Sequence, residues 1–348
     1  MAPPVLRRIR PAPVSRPGGH SALLPSMLMF GVIVASSGLL LMIERGILAE
    51  LKTPPPRGDA AWRGHSREPE ELQILREIRN RTLRRACGQP GVARSVWALP
   101  PGPRRTLLRH IIVNDKYKLL YCYVPKVACS NWKRVLKVLD GRLDSVDARL
   151  KMDHRQDLLF LSDLSADQVR HRLQHYYKFL FVREPLERLL SAYRNKFGEI
   201  KEYQQRYGQE IVRRYRPQPP GATASKGDDV TFPEFLRYLL DEDEEKMNEH
   251  WMPIYRLCQP CALHYDFIGS YERLREDAHR VLDAIRAPSY IQFPERQAWY
   301  KPVTEETLRY HLCHTPAGLL RELLPKYIMD YSLFAYPLPN LTREHCGQ

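Results

Sequence analysis

The sequence predicts an α/β protein built on a central, mostly parallel sheet and preceded by one N-terminal transmembrane helix. Three observations carry that reading. From residue 107 onward, short apolar runs alternate with stretches of helical periodicity, as expected when helices cover the faces of a parallel sheet. Two segments, 118–134 and 178–193, each read as a buried strand, a tight turn bearing a cation, and the start of a helix. Residues 22–43 contain no charged side chain and are strongly apolar.

As a helix, 22–43 would reach roughly 33 Å at about 1.5 Å per residue, enough for a bilayer core. Arg7, Arg8, Arg10 and Arg16 precede it, whereas Glu44 and Arg45 open a stretch of mixed charge. A cationic flank stays cytoplasmic, so 1–21 reads as a cytoplasmic tail, 22–43 as a signal-anchor, and the remainder as lumenal. A cleaved signal peptide is the competing reading. Against it stand the length of the apolar run and the lack of a small-x-small exit.

Residues 44–104 read as a stem, opened by Thr53-Pro54-Pro55-Pro56-Arg57-Gly58 and closed on text rich in Gly and Pro. The amphipathic stretch 70–85 is either part of that stem or a helix packed on the domain. Residues 105–348 form the main domain, ample for a large core. Asn80-Arg81-Thr82 and Asn340-Leu341-Thr342 are glycosylation sequons, which suit a lumenal location. Seven cysteines in an oxidising lumen imply disulfides and at least one thiol left over. Cys258 and Cys261 are spaced as a zinc half-site with His250 or His264. With no second Cys-x-x-Cys, a short disulfide or two long-range ones is preferred. Cys122, on a strand, reads as a free core thiol.

Along the domain, 118–124 and 178–182 are the clearest strands. A helix over 186–197 places Leu186, Leu189, Leu190, Tyr193 and Phe197 on one face and leaves Arg188, Ser191 and Arg194 elsewhere on its surface. Residues 217–229 form a Pro- and Gly-containing loop. A further helix over 231–240 starts at Thr231, with Glu234 completing a capping box. Helical text rich in Arg and Tyr follows, including 270–285, and no internal repeat is present.

The two strand–turn–helix units share one chemistry. In Val124-Pro125-Lys126-Val127-Ala128-Cys129-Ser130-Asn131, small side chains let the backbone approach an anion. Ser130 and Asn131 can cap the helix while donating to a ligand, and Lys126 supplies a mobile charge. The glycines of a Walker A loop are missing. In the second unit, Arg183 ends a strand at the edge where open α/β sheets bind ligands, and Pro185 suits a first helical turn. Ser191 lies further along that helix. The plain alternatives are a surface lysine, and an ion pair of Arg183 with Glu184 or Glu187. Two such anion cradles suit a nucleotide with two separate phosphate groups.

Together these units resemble the sulfotransferases that use 3′-phosphoadenylyl sulfate, over about residues 105–340. Val124 to Arg134, Arg183 to Phe197, His250-Trp251-Met252-Pro253 with Cys258 and Cys261, and Phe334-Ala335-Tyr336-Pro337 are similar to Golgi carbohydrate sulfotransferases of the HNK-1/chondroitin 4-O branch. The text of the membrane segment is similar to members of that branch acting on N-acetylgalactosamine beside iduronic acid in dermatan. The resemblance implies a P-loop-like three-layer fold with 105–348 as catalytic domain. It implies a 5′-phosphosulfate loop of Pro125, Lys126, Val127, Ala128, Cys129, Ser130 and Asn131. It implies a 3′-phosphate stretch of Arg183, Glu184, Pro185, Leu186, Glu187, Arg188, Leu189, Leu190 and Ser191. Lys126 would stabilise the departing phosphate oxygen.

The acceptor hydroxyl needs a base. Related glycan sulfotransferases carry a histidine between the two motifs, which implies His154, with Asp153 beside it; a purely structural histidine is the alternative. His250 and Glu249 stand in reserve. No metal is expected, because a sulfuryl group carries less negative charge than a phosphoryl group. Arg134, Lys137, Arg155, Arg194 and Lys196 are candidate contacts to uronate and sulfate groups. The charge of +14 and pI near 9.5 point to a polyanionic partner. For a type II protein of the Golgi membrane that partner is a dermatan or chondroitin chain rather than nucleic acid, with association to other glycosaminoglycan-synthesis enzymes as a further expectation. Two rival readings stand. Asp241-Glu242-Asp243 matches the metal-binding triplet of glycosyltransferases, though inside an acidic run that makes such a triplet nearly unavoidable. A non-enzymatic glycosaminoglycan-binding ectodomain explains the charge but leaves both phosphate motifs idle.

Overall fold

The short apolar runs assemble into a five-stranded mixed sheet whose parallel strands deliver their C-terminal ends to one edge. A computed structural model describes residues 70–147, 153, 156–217, 225–295, 301–339 and 346. The membrane segment, His154, Arg155 and Asn340 lie outside the described residues, as does 218–224 of the Pro- and Gly-containing loop. In chain order the strands are β1 (Ile111–Asn114), β2 (Leu119–Cys122), β3 (Leu159–Phe160), β4 (Tyr177–Val182) and β5 (Phe267–Ser270). Their order in the sheet is β3-β1-β2-β4-β5.

β2, β4 and β5 run parallel, with Cys122 opposite Leu180 and Val182 opposite Ser270. β1 is antiparallel to both β2 and β3. The sheet is therefore mixed rather than mostly parallel. The difference lies in the hairpin: a tight turn joins β1 to β2, and only a crossover can make consecutive strands parallel. That hairpin also serves the site. Ile111 pairs with Cys122 and Ile112 with Phe160, so the start of β1 and the end of β3 reach the same edge as the ends of β2, β4 and β5.

The helices follow the sequence pattern closely. They include α1 (Glu70–Cys87), α2 (Pro101–His110), α3 (Cys129–Leu139), α4 (Ala166–His175), α5 (Pro185–Gly198) and α6 (Lys201–Tyr203). A π turn (Gln204–Gly208) leads into α7 (Gln209–Tyr215), and α8 (Phe232–Asp241), α9 (Ile254–Cys258), α10 (Leu274–Ala284), α11 (Glu305–Cys313) and α12 (Ala317–Leu333) complete the order. Thr231 caps α8 in the anticipated box with Glu234. α5 departs from the amphipathic reading, because Arg188 and Ser191 are buried along with its leucines.

α1 belongs to the folded unit that holds the sheet. Its buried Arg79 donates to the carbonyls of Phe334 and Ile268, both at 3.0 Å, and to Ser270 Oγ at 3.2 Å. Asn80, beside it, is exposed. Three disulfides join Cys87 to Cys261, Cys122 to Cys258 and Cys313 to Cys346, leaving Cys129 as the thiol. Cys122 is thus not a free core thiol: its strand end abuts α9, where Cys258 closes the bridge. Cys258 and Cys261 are spent on separate long-range bridges, which rules them out as a zinc half-site.

Candidate active site

A cleft of about 1810 Å³ opens along the edge where the strand ends converge. Single small-ligand sites run to about 300–1,000 Å³, so this one has room for a donor and part of an acceptor together. Its wall takes Pro125, Lys126, Ala128, Cys129, Ser130 and Asn131 from the segment after β2, Ser191 from α5, and Tyr271 from the turn after β5. Arg109 and His110 enter from the end of α2, just before β1, and Phe160, Ser162 and Asp163 from the end of β3 and just after it.

The loop after β2 is held in an unusual shape. Lys126 (φ 70°) and Ala128 (φ 56°) both occupy the left-handed region, which costs a non-glycine residue energy and persists only where surroundings enforce it. Two buried guanidiniums do so. Arg188 Nε donates to Pro125 O at 3.1 Å, and Arg183 Nη1 donates to Lys126 O at 3.0 Å. Two consecutive carbonyls are thereby turned inward. α3 starts immediately after with no side-chain cap on its first turn, so its leading N–H groups and the positive end of its dipole are left to a ligand. Val127 in the loop is a core residue, fully buried, and pins the turn from below.

The second motif behaves differently. Of Arg183 through Ser191, only Ser191 reaches the cleft wall. Arg183 is fully buried, donates through Nε to Glu187 Oε2 at 3.2 Å, and lies 4.0 Å from the centre of the Tyr271 ring. The Glu187 pair exists, but it is buried at the arginine rather than solvated. Among the described residues its buried Nη2 has no hydrogen-bond partner, a state that costs about 1–3 kcal/mol and marks an unsatisfied donor beneath Tyr271. Glu184 caps α5 by accepting from Glu187 N and also accepts from Tyr331 OH at 2.6 Å, so this helix end is closed to an external anion. Pro185, Leu186, Leu189 and Leu190 are core residues.

Arg188 is the keystone that sequence reasoning placed on the surface. Besides Pro125 it donates to Met252 O at 2.7 Å and Glu249 O at 2.9 Å, tying the loop after β2 to the segment 248–252. Three carbonyls compensate one buried cation, though burial still pulls its pKa down. A polar residue on an apolar helix gives no sequence signal of this role.

Asn248, Glu249 and His250 line the cleft next to that loop, joined to it through Arg188. Glu249 Oε2 accepts from His110 Nε2 at 3.0 Å and from Tyr123 OH at 2.9 Å. Burial pushes its carboxyl pKa up, but His110 and the Tyr123 hydroxyl outweigh that and hold it at about 2. His250 Nδ1 sits 2.8 Å from Asn248 Oδ1 and 3.1 Å from Tyr203 OH. Burial, then Lys196, Lys126 and Arg188, pull its pKa well below the ordinary histidine value, against an opposing pull from Glu249. Tyr123, Tyr203, Lys133, Arg109 and Lys301 were not singled out by sequence; scattered over separate elements, they carry no local motif.

Of the expected acceptor contacts, Arg134, Arg194 and Lys196 line the cleft, whereas Lys137 lies beside Asp157 at 3.9 Å and away from it. Asp241 and Asp243 are also remote: Asp241 accepts from Tyr215. No cluster able to hold a metal occurs among the described residues.

Comparison with known proteins places this geometry. The pattern of the Sulfotransferase family matches residues 109–337. Carbohydrate sulfotransferase 14 of Homo sapiens is 66% identical over 100% of this chain and 96% of its own length. Its Danio rerio counterpart is 63% identical over 94% of this chain and 91% of its own. Carbohydrate sulfotransferase 11 of Mus musculus is 39% identical over 78% and 79%. No solved structure matches. The matched span takes in both strand-end motifs and the segment 248–252 tied to them, and on that ground the chain belongs to the sulfotransferase family.

Proposed function

We propose that this enzyme transfers a sulfuryl group from 3′-phosphoadenylyl sulfate to the 4-hydroxyl of N-acetylgalactosamine in dermatan, preferring iduronate-flanked sites. The observation that carries the donor assignment is the strained loop 125–131, whose carbonyls two buried arginines hold inward beside an uncapped helix start. Such a cradle suits a 5′-phosphosulfate. Arg183 Nη2, buried and without a partner among the described residues, and Ser191 supply donors for the 3′-phosphate, a charge-assisted contact worth roughly 1.5–3 kcal/mol. Lys126 answers the charge that appears on the departing phosphate oxygen in an in-line displacement. The cations of the cleft suit a uronate-bearing polymer. Likeness to carbohydrate sulfotransferase 14 along the whole chain, and the character of 22–43, support the acceptor and the setting. That setting is the Golgi membrane in type II orientation, with a P-loop-like three-layer catalytic domain in the lumen, Asn80 and Asn340 glycosylated, and other enzymes of glycosaminoglycan synthesis as neighbours.

The test is incubation of the protein with labelled donor and desulfated dermatan or chondroitin, followed by disaccharide analysis. Label at the 4-position of iduronate-flanked N-acetylgalactosamine is expected. A 6-O product, or preference for glucuronate-flanked sites, overturns the acceptor assignment. Failure to bind adenosine 3′,5′-bisphosphate overturns the donor assignment.

A further inference from the structure

The cleft that Lys126 lines also contains a histidine whose tautomer the structure dictates. Asn248 Oδ1 accepts from the backbone N–H of His250 at 3.0 Å. A backbone N–H can only donate, so that atom is the amide oxygen, and Asn248 Nδ2 correspondingly donates to Tyr207 OH at 3.1 Å. The same Oδ1 lies 2.8 Å from His250 Nδ1, which must then carry the proton. The lone pair is left on Nε2, which has no hydrogen-bond partner among the described residues, on a ring that lines the cleft.

The support behind this ring is rigid. Tyr203 and Tyr207 stack with centroids 5.5 Å apart, and Tyr207 meets Trp251 edge-on at 5.1 Å. Both tyrosines belong to the α6–π turn segment. The π turn is wedged at Gly208, where an added Cβ would come within 2.1 Å of Gly227 O. π turns recur at functional sites, and here one brings Tyr203 and Tyr207 to the same histidine–asparagine pair.

We propose that His250 is the catalytic base: its Nε2 removes the proton from the acceptor hydroxyl opposite Lys126. The inference rests on the donor and reaction proposed above. The acceptor oxygen forms a bond to sulfur as the bond from sulfur to the bridging phosphate oxygen breaks. The electron pair leaves on that phosphate oxygen, beside Lys126. The acceptor proton passes to Nε2, giving an imidazolium that later releases it to water. Lys196 and Arg188 from α5, Lys126 from the loop, Tyr203 from α6 and the neighbouring Glu249 surround the ring. Burial first, and then the three cations, disfavour the imidazolium before the anionic donor binds, so the ring is neutral and ready to accept a proton at neutral pH. Glu249, the neighbouring carboxylate in the cleft, is occupied by His110 and Tyr123.

The test uses detergent-solubilised full-length protein. His250→Ala should lower kcat by about 10²–10⁴-fold, while affinity for adenosine 3′,5′-bisphosphate stays within about threefold. Asn248→Asp places a carboxylate on Nδ1–H and should move the acid limb of kcat/KM to higher pH, a shift that loss of packing alone would not produce. His250→Ala turning over within threefold of wild type overturns the proposal, as does an unmoved limb in Asn248→Asp with nucleotide binding intact. Should His250→Ala not fold, the Asn248→Asp limb decides. Wild-type protein that fails to bind the nucleotide would instead bring down the donor assignment together with the base.

Discussion

Lys126 joins two roles in one residue. Its carbonyl is tethered inward by Arg183 while its side chain lines the cleft, and the left-handed backbone is what lets both happen at once. Electrostatic stabilisation of a leaving oxygen acts in the transition state far more than in the bound donor. Lys126→Ala is therefore expected to cut kcat by about 10²–10³-fold and to change nucleotide affinity much less. Single-turnover rates beside equilibrium binding separate the two, and an unchanged rate would remove Lys126 from the chemistry. This residue was legible in the sequence because a cation in a small-residue turn between a strand and a helix has a local signature. Arg188 was not: its role depends on carbonyls from residues 125, 249 and 252, which only the folded chain brings together. Arg183 was legible as important but not as buried, since nothing local says that Tyr271 will cover it.

The elements tell a similar story about what sequence can reach. β2, β4 and α5 were readable from apolar runs and period, and α8 from its capping box. The antiparallel edge was not, because a four-residue apolar strand such as β1 carries no sign of its partner's direction. Also hidden was the link between α12 and α9. Asp330 of α12 is fully buried and accepts from the N–H groups of Ile254 at 2.7 Å and Tyr255 at 2.8 Å, capping α9 from another part of the chain. Burial raises its pKa from 3.8 to about 6, against the pull of those two amides and of Arg188. The native state thus keeps a proton that the unfolded chain has already released between these values. The stability this confers is fully present below about pH 3.8 and lost as pH rises past about 6. Asp330→Asn cannot ionise, so its stability relative to wild type should improve by about 3 kcal/mol across that window, after an initial penalty for one lost amide acceptor. Denaturant unfolding at pH 4 and pH 7 measures it, and parallel pH profiles for the two proteins would refute the assignment.

Across the whole chain, charge and architecture converge on the same surface. Arg79 and the Cys87–Cys261 bridge fasten α1 to the far side of the sequence, so residues that look like stem help build the domain. Part of the excess of +14 falls at the site, where seven Lys and Arg side chains line the cleft against three Asp and Glu. A field of that sign draws in a polyanion and is weakened by salt, since the Debye length falls from about 10 Å at 0.1 M to about 3 Å at 1 M. Sequence composition already announced a polyanionic partner, but not that Arg109, Lys133 and Lys301, from three distant segments, would share one wall with Lys196. If this wall binds the polymer, KM for long acceptor chains should rise steeply with ionic strength, while short acceptors with few uronates should show a shallow dependence. Neutralising Arg109 and Lys301 together should flatten the long-chain response toward the short-chain one and leave nucleotide affinity intact. Equal salt slopes for long and short acceptors in the wild type would mean that the cleft cations serve the donor alone.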